Sequence, residues 1–155
     1  MNIEDLKSKV QLIVKRANDL KDEYLGKNNT PVNYACIFSQ SEEEYDLLRQ
    51  LTGKIGKVIK ETPTGSLYQI EPLPTVAGNL QLLKIRIPDR TRPELGDADF
   101  TVADFPVFEK KYLSLPQFKR MDKPDFYMIE LLDQKYDVRA YFSNPPLDRQ
   151  FGITT

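Results

Sequence analysis

Ile3, Leu6, Val10, Ile13, Val14, Ala17, Leu20 and Tyr24 recur at three- and four-residue steps, the spacing that lines up apolar side chains along one stripe of a helix. The stripe predicts a helix over residues 3–24. Its other face mixes lysines with acids, which suits a helix packed on a sheet and not the basic face of a membrane-surface helix. Gly26 to Pro31 breaks the chain. After Pro31 the period drops to two. Val32–Ser39 reads as a strand. Ser41 followed by Glu44 is a capping box that opens a helix across Tyr45, Leu48 and Leu51, with Gly53 and Gly56 ending it. Lys57–Thr62 and Leu67–Ile70 flank the turn Pro63-Thr64-Gly65-Ser66 and predict a hairpin. Glu71–Asn79, with two prolines, reads as a loop before a fourth strand over Leu80–Ile87.

A tighter version of the same order follows. Pro88–Gly96 is a proline- and charge-rich link, Asp99–Ala103 a short strand, and Asp104 the cap of a helix over residues 105–113 that tolerates Pro106 in its first turn. Pro116 closes that helix. Phe118–Met121, Asp125–Leu132 and Tyr136–Ser143 are three further strands, stopped by Asn144-Pro145-Pro146. Strand, helix and three strands are thus read twice, from about Val32 to Ile87 and from about Ala98 to Phe142. The expectation is one α+β domain. Residues 1–30 form a helical extension, 32–87 the first βαβββ module, 88–96 a linker, 97–143 the second module and 144–155 a tail.

Composition narrows the function classes. The 155 residues carry 22 basic and 23 acidic side chains for a net charge of −1, so the excess of cations that phosphate neutralisation demands is missing and no nucleic-acid partner is expected. No run approaches the roughly 20 apolar residues of a membrane span. No signal peptide is legible at the N-terminus, so no membrane partner and a cytoplasmic location are expected. Histidine is absent and Cys36 is the only cysteine. Cys36 cannot form an intrachain disulfide, has no histidine base to make it a nucleophile, and sits in an apolar run as a small hydrophobe does. The acids of Arg92–Asp99 lack EF-hand spacing, and Glu61–Gly65 is a turn without the GK[ST] of a phosphate loop.

Asn33–Phe38 (NYACIF), Gly56–Gly65 (GKVIKETPTG), Lys84–Pro88 (KIRIP) and Gly96–Phe100 (GDADF), at their spacing in the doubled order, resemble the vicinal oxygen chelate superfamily of glyoxalase I, extradiol dioxygenases and bleomycin-resistance proteins. Within it the chain is similar to the YecM-like proteins, which place a helical extension before two βαβββ modules. The likeness covers roughly residues 30–105 and extends more loosely to Phe142. It implies a mostly antiparallel curved sheet whose halves face one cleft, and the competing expectation is a single curved sheet of cystatin-like or NTF2-like type. It also implies a metal held near the first and last strands of each module, positions that fall near Tyr34, Arg86, Asp99 and Arg139. Of these only Asp99 suits a hard cation, and two arginines beside it oppose one, so neither a metal nor another cofactor is expected.

Strand alternation together with the resemblance assembles a ligand-binding set of Tyr34, Tyr68, Lys84, Arg86, Asp99, Arg139 and Tyr141, aromatic walls with cationic anchors. Arginine grips carboxylate or phosphate through two parallel hydrogen bonds, and aromatics cover a planar body. The expected partner is a small anionic or aromatic molecule, bound by a monomer or homodimer. Three alternatives stay open. The charges could form a structural ion-pair network. The chain could be a metal-dependent lyase, isomerase or dioxygenase of the superfamily, with Asp99 or Glu130 in acid–base roles. It could also be a non-catalytic interaction module built on the N-terminal helix and the proline-rich tail.

Overall fold

The computed structural model describes residues 1–153. Helix α1 (Ile3–Leu25) buries Leu6, Val10, Ile13, Val14, Ala17 and Leu20, most of the stripe legible in the sequence. Its start is fixed by a reciprocal cap: the Asp5 amide donates to Asn2 Oδ1 and the Asn2 amide to Asp5 Oδ2, both at 2.9 Å. Replacing Asn2 by alanine should therefore cost about 1 kcal/mol, measured as a lower urea midpoint at unchanged slope. An unchanged midpoint would show that the first turn is not held by its cap.

The rest is β1 (Val32–Phe38), α2 (Glu42–Thr52), β2 (Gly56–Thr62), β3 (Gly65–Thr75), β4 (Gly78–Arg86), β5 (Gly96–Phe100), α3 (Phe105–Tyr112), β6 (Phe118–Asp122), β7 (Tyr127–Leu132), β8 (Arg139–Asn144) and the short α4 (Leu147–Gln150). One eight-stranded sheet has the order β2-β3-β4-β1-β5-β8-β7-β6, curved and unclosed. Read from its centre outward, each half has the same order. In each, the unit's first strand pairs parallel with its fourth, β1 with β4 and β5 with β8, and the remaining pairs are antiparallel. The halves meet at the antiparallel pair β1–β5. This is an α+β fold of two βαβββ units after an N-terminal helix, not the single-unit sheet of the alternative expectation.

Helices α1, α2 and α3 cover one face. The main core lies between them and the sheet, where Ala35, Ile37, Leu83, Ile85, Ala98, Phe100, Ala140 and Phe142 meet the helix stripes. The opposite face carries a smaller cluster of Leu67, Leu82, Leu147 and Ile153, with Tyr34, Ile59, Phe126 and Phe151 against it. No helix among the described residues is long and apolar enough to cross a membrane.

Four local expectations are revised. Glu71–Asn79 is not a loop. β3 runs on to Thr75 and returns through β4 as a hairpin with a register shift between Gln69 and Leu73. Pro72 and Pro74 are tolerated because β2 pairs β3 only as far as Ile70, so beyond it the missing N–H groups lie on a free edge. β5 begins at Gly96 instead of Asp99, since all five residues of Gly96–Phe100 are buried although two carboxylates make the segment look solvated. The cap at Ser41 is half a box. Ser41 Oγ accepts from the Glu44 amide at 3.1 Å, but the Glu44 carboxylate accepts from the Gln40 amide at 2.9 Å instead of from Ser41. Residues 147–153 of the expected tail are ordered onto the sheet, and residues 154–155 lie outside the described residues.

Candidate functional site

Alternation places two rows of polar side chains on the face away from α1–α3. Across the central strands, Lys84, Cys36, Asp97 and Arg139 are consecutive register partners. Beside them, Tyr34, Asp99, Tyr141 and Glu130 form a second row. A cavity of about 240 Å³ opens over these rows. Lys84 and Arg86 come from β4, Asp97 and Asp99 from β5, and Arg92 from the link between the units. Its apolar walls are Met121, Phe126, Met128, Leu147 and Phe151, so the C-terminal segment forms part of the site.

Hydrogen bonding separates the two carboxylates. Asp99 is fully buried. Its Oδ1 accepts from Asn33 Nδ2 at 3.1 Å and the Ser143 amide at 3.2 Å, and its Oδ2 accepts from the Ser143 hydroxyl. Asp97 is 6% exposed, and its Oδ1 has no partner. Burial pushes both up, Asp99 to about 6 against the hydrogen bonds from Ser143 and Asn33, and Asp97 to about 7 with Arg92 opposing the rise.

The cationic side is also unevenly satisfied. Burial holds the Lys84 ammonium below the usual lysine range, and its Nζ donates to Thr64 Oγ1. Arg86 Nη2 donates to Asp89 Oδ2 at 3.1 Å, while its Nε is buried without a partner. Arg92 Nη1 donates to the Tyr141 hydroxyl at 3.0 Å, which donates to Glu130 Oε2 at 2.6 Å. Arg92 also lies 5.5 Å from the Phe38 ring centre. Burial raises the Cys36 thiol far above its ordinary value, with Asp97 adding to the rise. A protonated, buried thiol is a poor nucleophile.

Of the seven residues picked from the sequence, Tyr34, Lys84, Arg86, Asp99 and Tyr141 line the cavity together. Tyr68 does not. It belongs to the helix-side core, and its hydroxyl donates to the Arg49 carbonyl at 3.4 Å. Leu67, its neighbour in β3, takes the cavity side, a parity that a one-residue step inverts. Arg139 also stays out of the cavity lining. It is paired with Glu94 and with Glu130 at 3.2 Å, and donates to the Thr91 carbonyl at 2.9 Å. Asp97, Arg92 and the C-terminal wall were missed. Asp97 shares the parity of Asp99 and was legible on that ground, and Leu147, Phe151 and Ile153 are the apolar signal in the tail.

The divalent metal implied by the resemblance does not fit this donor set. Both oxygens of Asp99 are engaged by neutral donors, and Lys84, Arg86 and Arg92 surround the remaining carboxylate. Among the described residues no group of three or more histidine, cysteine, aspartate and glutamate side chains is placed to hold a metal ion.

No protein-family model matches the sequence, and no curated protein matches it. Among solved structures, the chain is similar to the structural-genomics protein EC4020, with a TM-score of 0.69 at 13% identity over 90% of this chain and 86% of that one. A glyoxalase/bleomycin resistance protein/dioxygenase superfamily member from Vibrio splendidus matches at a TM-score of 0.46 and 9% identity, over 74% of this chain and 97% of that one. A glyoxalase I mutant from Zea mays matches at 0.40 and 16%, over 81% of this chain and 45% of that one.

Proposed function

We propose that this chain is a glyoxalase-like protein of YecM-like type that binds a small organic anion in the cavity over β4, β1 and β5, without a metal. The observation that carries the reading is the charge of the cavity. Lys60, Lys84, Arg86, Arg92 and Lys123 face two aspartates, an excess of three positive charges when both carboxylates are ionised (five minus two) and more when they are not. A concave site of one sign with low-dielectric walls concentrates ligands of the other sign. Arg86 and Lys84 supply the anchoring donors, while Tyr34, Phe126 and Phe151 offer an aromatic or apolar body its contact surface. Lys60 and Lys123 are exposed at the mouth. The cavity is below the usual range for drug-sized ligands, so the anion is small. The N-terminal helix ahead of two units supports the YecM-like type. For the metal-dependent alternative, the donor set offers no support.

The test is calorimetry and thermal shift with a panel of aliphatic and aromatic carboxylates and inorganic phosphate. A binder at one hundred times its Kd should stabilise the fold by about 2.7 kcal/mol, several degrees in Tm for a chain of this length. Arg86→Ala should weaken that binder at least tenfold while leaving the unliganded Tm within about two degrees. Absence of stabilisation by every member would overturn the reading.

A further inference from the structure

Unpartnered polar atoms on residues that line the cavity describe its ligand more closely than its net charge does. Asp99, Tyr141 and Arg92 have partners within the protein. Asp97 Oδ1 and Arg86 Nε are buried and have none. A buried polar atom without a partner forfeits its hydration with nothing in return, and such atoms are uncommon in native folds. Here one is an acceptor and the other a donor, and both residues line the same cavity.

The spacing of Lys84, a second cation of the cavity, from Asp97 fits one small molecule. Lys84 and Asp97 are both register partners of Cys36, on either side of it. With neighbouring strands about 4.8 Å apart, their backbones lie roughly 10 Å from each other, and their side chains stand on the same face. Between them lies the Cys36 thiol, which donates to the Ile37 carbonyl and makes no demand on a ligand.

We infer that the ligand is an organic anion bearing a hydroxyl or amine a few bonds from its acidic group, the acid held by Arg86 and Lys84 and the hydroxyl or amine donating to Asp97. This rests on the anion-binding reading above. A simple anion would leave Asp97 both unpaired and repelling it. A donor beside the acid removes both penalties at once. The groups facing Asp97 are Arg92, Lys84, Arg86 and Asp99, with Tyr34, Cys36 and Tyr141 also beside it, and at pH 8 most Asp97 side chains are ionised acceptors.

Two matched series separate the possibilities by isothermal calorimetry at pH 8: 3-phenyllactate, phenylalanine and 3-phenylpropionate, then lactate, alanine and propionate. In at least one series the hydroxylated or aminated member should bind tenfold or more tightly than the plain acid. Which of the two binds tells hydroxyl from amine. Asp97→Ala should bring the members within twofold of each other without weakening the plain acid. Asp97→Asn, closer in shape, should retain a reduced preference. Equal affinities in the unaltered protein, with all members weakened by Arg86→Ala, would overturn the inference and leave the anion reading standing. Absence of binding throughout both series would overturn the inference, and silence from the wider carboxylate and phosphate panel as well would overturn the anion reading.

Discussion

Gly96→Ala is expected to abolish cooperative folding or to lower stability by more than about 4 kcal/mol, a loss comparable with the whole stability of many domains. Gly96 pairs with Ile37 at the start of the β1–β5 seam. A Cβ on Gly96 would lie 2.1 Å from the Cys36 carbonyl oxygen and 2.9 Å from Ile13 Cδ1. The first contact is with backbone and has no rotamer to yield. The second is with the buried stripe of α1. Relief therefore means parting β1 from β5 or lifting α1, and either move opens the main core. Gly53→Ala is the matched control. Gly53 follows α2 at φ −61° and ψ −19°, and its nearest Cβ neighbour would be the Arg49 carbonyl oxygen at 3.4 Å. There alanine should be neutral or stabilising by up to about 1 kcal/mol. Circular dichroism with urea titration reads both variants. A Gly96→Ala midpoint equal to the control's would show that the seam is looser than its geometry.

Stability should fall as pH rises from about 5 to 8, and Asp97→Asn should remove most of that fall. Burial lifts Asp97 from 3.8 to about 7 and Asp99 from 3.8 to about 6. Between roughly pH 4 and 7 the folded state thus holds protons that the unfolded chain has released. The slope of unfolding free energy with pH follows protons bound unfolded minus folded, so it is negative across this window. The stabilisation is complete below pH 3.8 and is lost as the folded-state values are passed. For Asp97 it amounts to about 4 kcal/mol at most. The variant should be more stable than the parent at pH 8 and converge with it near pH 4. Urea midpoints at pH 5 and 8 decide the matter. A parent protein equally stable at both would mean that water or local opening solvates Asp97.

The doubled order was legible because most of its elements follow simple periods. α1 shows its stripe and α3 its Asp104 cap, confirmed by the Val107 amide donating to Asp104 Oδ1 at 3.2 Å. Strands β4 and β8 show their alternation. The errors fall where burial and polarity part company. Gly96–Phe100 carries two aspartates yet is buried throughout, because the cavity rather than solvent receives their carboxyls. Pro72 and Pro74 signal a break, yet an unpaired edge accommodates them. Tyr68 is expected in the cavity from the resemblance, yet the parity of β3 puts it on the helix side and gives the cavity its neighbour Leu67. The packing of the tail is not legible locally, since Leu147, Phe151 and Ile153 find their partners on strands far away in sequence, which no local window contains.

The seam between β1 and β5 has a consequence for direction. Reversing the strand order about that seam exchanges the two units, so the backbone has an approximate twofold axis there. The charges do not obey it. Three cations, Lys60, Lys84 and Arg86, belong to the first unit, Arg92 to the link, and the second unit sets Asp97 and Asp99 against the single cation Lys123. The electric field in the cavity therefore points across the strands, from β4 towards β5, over a frame that would look the same if turned around. A guest molecule with distinct ends would meet two different walls and settle in one orientation, the handedness coming from side chains alone.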